Sequence, residues 1–198
     1  MTHRVFIAIN LPEETKKVLL NFQNKISAAF PDQCPIKWTK IDNLHITLVF
    51  LGAVSNDELL EVCRTVAEIS QKHSSFSLKL NKIVYGPPKA VPPRMVWVNG
   101  EKSEELARIK DDLERLFSGT GSNGYEPDKR TFSPHITLGR IKAWQFQRIE
   151  PEERPEINEE ISLEFPVTSL EVMESELKRG GPEYAILESC QFLEADQS

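Results

Sequence analysis

The sequence predicts an α+β protein of two related lobes facing each other across a cleft, and two observations carry that expectation. The tetrapeptide His-Ile-Thr-Leu occurs at residues 45–48 and again at 135–138, claiming two of the four histidines. By chance such a histidine-led repeat arises on the order of once in a thousand chains. Each copy also ends a matched series of elements. An apolar strand (4–10) and a helix (13–30) precede His45, and a strand (94–99) and a helix (103–117) precede His135; Asn10 stands 35 residues before His45 and Asn99 stands 36 before His135. Strand, helix and motif strand recurring at one spacing indicate an old internal duplication.

The elements follow from apolar period and punctuation. Val18, Leu19, Phe22, Ile26 and Phe30 repeat every 3.6 residues in the first helix, as do Leu106, Ile109, Leu113 and Leu116 in its counterpart. In the first motif strand, alternation puts Leu44, Ile46, Leu48 and Phe50 on one face and His45, Thr47 and Val49 on the other. Ser55 and Glu58 form a capping box that opens a helix with the stripe Leu59, Val62, Val66 and Ile69. A strand follows at 76–85, and the prolines at 87, 88, 92 and 93 bracket a turn between the lobes. After the second motif come a charged loop, a strand at 162–175, a Gly180-Gly181-Pro182 turn and a strand at 184–192. At 198 residues the expectation is one bilobal domain spanning the chain.

Composition narrows the function classes. The net charge is −6, and residues 150–164 hold seven Glu against one Arg, so the rest of the chain is neutral. A long nucleic-acid footprint needs a basic field that such a chain lacks, whereas a strand end needs only local cations. Arg130 and Arg140 flank the second motif, and Lys37 and Lys40 precede the first. Cys34, Cys63 and Cys190 are odd in number and widely spaced, which gives neither a disulfide framework nor a zinc knuckle. The apolar run at the N-terminus is too short for a signal peptide and no stretch approaches a membrane span, so the expectations are a cytoplasmic protein, no membrane partner and a monomer. Residues 119–124 match Gly-x-Gly-x-x-Gly but follow a helix and open none, so they read as a loop rather than a dinucleotide cradle. No metal-ligand cluster and no cofactor signature is present, and His3 and His73, with no motif around them, read as surface residues.

The candidate chemistry lies in the repeat. His45 and Thr47, and likewise His135 and Thr137, point from one strand face with Cα atoms roughly 6.6 Å apart, two strand steps. Two such strands facing each other set an imidazole and a hydroxyl on each wall. A neutral imidazole takes a proton near pH 7 and an imidazolium gives one, which suits in-line displacement at phosphorus, where attacker and leaving group lie on opposite sides. The threonine hydroxyls can donate to the non-bridging oxygens. The residues themselves do not say which histidine gives and which takes. A lone His-x-Thr is most often a solvated pair without chemistry; duplication in matched surroundings weighs against that here.

These blocks resemble the two-histidine (2H) phosphoesterases, closest to the RNA 2′,3′-cyclic phosphodiesterase or 2′-5′ RNA ligase type. The resemblance rests on residues 4–12, on Trp38 with residues 44–52, on residues 130–140, and on Ser175, Leu177, Gly181, Pro182 and Tyr184. It implies pseudo-symmetric lobes, each a mainly antiparallel sheet with helices outside. It also implies metal-free hydrolysis of RNA 2′,3′-cyclic phosphate ends to 2′-phosphomonoesters, with reversible 2′-5′ ligation. His45 would be the proton donor and His135 the acceptor, with Thr47, Thr137 and Arg130 on the phosphate. Gly139, where many relatives carry Ala, is a mild departure. In a regular strand Arg140 falls on the face opposite His135, reaching the phosphate only if the strand twists or ends first. Trp38 and Phe132 are further candidates for stacking on a base, though for each a place in the core is favoured. Three rivals stand beside this reading: a nucleotide-binding module without turnover, a relative acting on 2′-5′ oligonucleotides or other small cyclic phosphates, and a purely structural two-lobed protein.

Overall fold

The computed structural model describes residues 2–31, 33–119, 125, 127, 132–179 and 181–194. In chain order these form β1 (Thr2–Asn10), α1 (Glu13–Ala28), β2 (Ile36–Trp38), a 3-10 turn (Ile41–Asn43), β3 (His45–Ser55), α2 (Asn56–Ser70), β4 (Phe76–Gly86), β5 (Met95–Gly100), α3 (Glu104–Gly119), β6 (His135–Ile141), α4 (Ala143–Phe146), a 3-10 turn (Pro151–Glu153), β7 (Asn158–Val167), β8 (Ser169–Lys178) and β9 (Gly181–Gln191). The Ser55–Glu58 capping box forms in both directions, Glu58 N–H donating to Ser55 Oγ and Ser55 N–H to Glu58 Oε2. No helix among the described residues is long and apolar enough to cross a membrane.

The strands make one hydrogen-bonded sheet in the order β7-β4-β5-β6-β3-β1-β8-β9, with β2 also on β6. All paired strands in it run antiparallel. Among the described residues its two halves join through the single pair Ile46↔Ile136, so β3 and β6 meet at the middle. Each half borrows from the other: β4, which follows the first motif in sequence, pairs with β5, and β8, which follows the second, pairs with β1. The lobes are therefore not the two halves of the chain. Apolar residues of α1, α2 and α3 pack with Val5, Ile7, Ile9, Ile46, Val96, Val98 and Ile136 in one core on one sheet face. The opposite face carries a separate small cluster, Phe6, Ala8 and Met173 with Tyr184, that includes no helix residue.

Three sequence expectations change. The strand expected at 162–175 is two strands, β7 and β8, broken at Thr168. Half of the acidic stretch belongs to β7, an edge strand paired among the described residues only with β4, where Glu159 and Glu160 bond Lys25 and Lys82. Glu159 and Glu160 put the first residues of this strand in the charged loop of the sequence reading, and charge on an edge discourages further pairing. Phe50 is the third. It is 70% exposed while Val49 is buried, the reverse of the alternation expected.

A bulge explains the reversal. Thr47 pairs with Ala8 but Val49 pairs with Ile7, so Leu48 is an extra residue on β3 and side chains beyond it change face. The same device recurs on β6, where Thr137 pairs with Trp97 but Gly139 pairs with Val96, leaving Leu138 extra. The freed Leu138 carbonyl accepts from Thr39 N–H at 2.8 Å and from the buried Gln23 amide at 3.0 Å.

Candidate active site

The single bridge between the halves sets the site. With Ile46 opposite Ile136, antiparallel register brings His45 toward Thr137 and Thr47 toward His135, all on the face without helices. The two histidines are then diagonal neighbours, a relation worth roughly 7–8 Å between Cα atoms in a regular ladder. One step outward, Asn10 pairs with His45 and Asn99 with His135. The matched spacing in the sequence thus counts the residues between each motif histidine and its cross-strand asparagine.

Both imidazoles are fixed in the same tautomer. His45 Nδ1 lies 2.7 Å from the Asn43 carbonyl and His135 Nδ1 lies 2.8 Å from the Ser133 carbonyl. A carbonyl only accepts, so each Nδ1 carries the hydrogen and each Nε2 is free to take or give a proton. His45 Nε2 is 2.9 Å from Thr47 Oγ1. Burial pushes His45 below the ordinary imidazole value; the bond to Asn43 opposes that shift and the nearby charge of His135 adds to it.

The walls are aromatic and differ between lobes. Phe6 lies 5.0 Å from His45 in a tilted contact and Tyr184 meets the same ring edge-on at 5.2 Å. His135 is stacked by Trp97 at 4.0 Å. Trp97 has room because Gly86 lacks a side chain: a Cβ there would come within 2.4 Å of the indole. Tyr184 reaches His45 because the β8–β9 hairpin is held at the first motif by Asn43 Nδ2 donating to the Pro182 carbonyl and by a Lys40–Glu183 pair at 3.8 Å.

The remaining expected residues separate. Arg140 changes face with the Leu138 bulge: paired with Met95, it falls on the side of Thr137 and Trp97, exposed. The regular strand that would have turned it away does not form. Trp38 pairs with Gly139 on the core side and Phe132 packs against the core with Lys110 Nζ 5.3 Å from its ring, so neither joins the histidine face. Arg130 lies outside the described residues, as do residues 120–124 of the glycine-rich segment. Gly139 is where β2 approaches β6; an added Cβ would meet Ile36 Cγ2 at 2.5 Å and Trp38 Cε3 at 2.9 Å. His3 and His73 are partly buried and partnered rather than solvated, bonding Glu174 and Asp112. Among the described residues no group of three His, Cys, Asp or Glu side chains is placed to hold a metal ion. The sequence gives no site role to Trp97, Phe6 or Gln23 and names Tyr184 only within the resemblance, since their roles depend on strand pairing.

The family model described as LigT like Phosphoesterase matches this chain twice, over residues 9–97 and 98–184, one match per motif. The chain belongs to that family. Among relatives, the RNA 2′,3′-cyclic phosphodiesterase of Thermotoga maritima is 29% identical over 192 residues, covering 96% of this chain and 95% of the relative. The protein of the same description from Thermus thermophilus is 31% identical over 192 residues, covering 93% and 88%. In solved structures, TT0787 of Thermus thermophilus superposes with a TM-score of 0.82 at 27% identity, covering 96% of this chain and 98% of that one. Escherichia coli LigT complexed with 3′-AMP superposes at 0.74 and 25% identity, covering 97% and 99%. The LigT-like fold therefore runs through nearly the whole chain, with both His-x-Thr motifs inside the matched regions.

Proposed function

We propose that this phosphoesterase hydrolyses RNA 2′,3′-cyclic phosphate ends to 2′-phosphomonoesters by paired acid–base catalysis. One observation carries the reading: two imidazoles of one tautomer, each with Nε2 free for proton transfer, stand on strands joined at Ile46↔Ile136. His135 Nε2 takes a proton from water as its oxygen attacks phosphorus. The P–O3′ bond breaks on the other side, and His45 Nε2–H protonates the departing 3′ oxygen. The products are a 2′-phosphomonoester and a 3′-hydroxyl. Thr47 and Thr137 donate to the non-bridging oxygens, where charge accumulates, with Arg130 and Arg140 as the cations for the substrate phosphates. The same transfers with a 5′-hydroxyl in place of water join it to the cyclic end through a 2′-5′ bond, and their reverse reopens that bond to the cyclic phosphate.

The relatives' names support the substrate class, and the tandem family match supports one domain made by duplication. We place the protein in the cytoplasm as a monomer that uses no metal. The test is turnover of the four nucleoside 2′,3′-cyclic phosphates in the presence of a chelator. The expected result is undiminished formation of the 2′-monophosphate. A 3′-monophosphate product would reverse the bond that breaks, and loss of activity restored by one divalent ion would replace the histidine pair with metal chemistry.

A further inference from the structure

The chain's charge is unevenly placed around this site. Residues 87–100 and 132–149 include Lys89, Arg94, Arg140, Lys142 and Arg148 and not one Asp or Glu, in a chain whose net charge is −6. Folding brings the two segments together: β5 pairs with β6 so that Met95 lies opposite Arg140, and Ile141 N–H donates to the Arg94 carbonyl at 2.8 Å. β2 adds Lys37 opposite Arg140. Arg94, Arg140, Lys142 and Arg148 are all exposed. The strip begins at the second motif and follows β6 away from His135, reaching Lys142 after seven residues, roughly 20 Å at strand spacing.

An aromatic platform stands at its far end. Trp144 on α4 is 58% exposed although the Arg148 guanidinium lies 5.0 Å from its ring centre. A large exposed indole braced by a cation, with no core role of its own, is the arrangement that stacks an unpaired base. Its neighbour Phe146 is the residue that anchors α4, buried against Tyr85 at 5.8 Å. Beyond Arg148 the charge turns over abruptly at Glu150, Glu152 and Glu153, a boundary a polyanion would not cross.

We propose that this strip binds the single-stranded RNA chain leading to the reacting end, its phosphates on Arg140 and Lys142 and a base on Trp144. This rests on the proposed hydrolysis of cyclic ends and extends it: an oligonucleotide is the preferred substrate over a mononucleotide. A duplex is disfavoured because its bases are already stacked and cannot use Trp144.

The experiment compares a nucleoside 2′,3′-cyclic phosphate with a single-stranded octamer bearing the same end, in the wild type and in the combined variant Lys142→Gln, Trp144→Ala, Arg148→Gln. The wild type should show the higher kcat/KM on the octamer, with a steep decline in added salt. The variant should lose about tenfold or more on the octamer, since it removes the stacking platform and two cations, and keep mononucleotide turnover within about twofold. Equal kcat/KM on both substrates in the wild type, or equal loss on both in the variant, overturns the strip. If the wild type turns over neither substrate, the hydrolysis reading fails instead. The strip is then judged by fluorescence anisotropy of an octamer without a terminal phosphate: salt-sensitive binding weakened by the variant supports it, and absence of binding overturns it.

Discussion

Two copies of one tetrapeptide sit in different surroundings, and the contrast shows how one duplicated motif is given two environments. In both, Nδ1 is tied to the carbonyl two residues earlier, so the tautomer is the same. At His45 the Nε2 also meets the Thr47 hydroxyl, and Phe6 and Tyr184 enclose the ring and lower its proton affinity. At His135 one indole face covers the ring, and no matching bond from Nε2 to Thr137 forms among the described residues. Sequence identity fixes where the nitrogens point. The neighbouring strands set how readily His45 is charged.

Removing either nitrogen breaks the comparison most severely. His45→Ala and His135→Ala should each lower kcat by about 10²–10⁴ with smaller changes in binding. A substrate whose leaving group needs no protonation should restore His45→Ala and leave His135→Ala impaired. Restoration of His135→Ala instead would exchange donor and acceptor, and full activity in either variant would end the paired mechanism.

A smaller loss should come from the wall of the second lobe alone. Gly86→Ala forces the Trp97 indole off its place, and Trp97 is what holds the His135 ring. A displacement near an ångström can cost up to about 10²-fold in rate, so kcat should fall by about 10–10². With His135 as the proposed acceptor, a better leaving group should not recover it. Recovery by the leaving group would mean that Trp97 serves the departing oxygen.

These residues also mark where the sequence stops being legible. The motifs, the helices and the capping box are local, written in periods of 2 and 3.6 and in short spacings, and the structure has them. Pairing is not local. That β4 crosses to β5 and β8 to β1, that Glu-rich residues 158–167 are an edge strand, and that Tyr184 leans on His45 depend on contacts distant in sequence. The bulges at Leu48 and Leu138 are the sharpest case. Strict alternation sent Phe50 to the core and turned Arg140 away from the histidines, and one extra residue in each strand reverses both.

Stability should separate the two bulges next. The Leu138 carbonyl is held by Gln23 from α1, itself 3% exposed, whose amide also donates to the Thr39 carbonyl at 3.0 Å. Gln23→Leu removes the amide donor to the Thr39 carbonyl and one of the two donors to the Leu138 carbonyl, and should cost about 1–3 kcal/mol in urea unfolding. Gly139→Ala, which crowds Ile36 and Trp38, should cost a similar amount by overpacking. An unchanged midpoint in Gln23→Leu would mean that the bulge is held by Thr39 N–H and strand pairing alone.

The gentlest change is in pH, and it reads the enclosure of His45 directly. A proton donor must start charged, yet burial lowers the affinity of His45 for its proton below the ordinary 6.5 in the free protein. With His45 as donor, kcat/KM should therefore fall on its alkaline side at a pH below 6.5. A bound phosphate anion beside Nε2 favours the charged imidazole and raises its pKa. The alkaline limb of kcat, which reports the complex, should then lie at higher pH than that of kcat/KM. Tyr184→Ala opens one side of the His45 enclosure, so it should move the kcat/KM limb upward and bring the two closer. Coincident limbs in the wild type would show that burial does not set the donor. A Tyr184→Ala effect confined to the acid limb would make His45 the acceptor, because an acceptor must begin neutral and its loss of activity comes as pH falls.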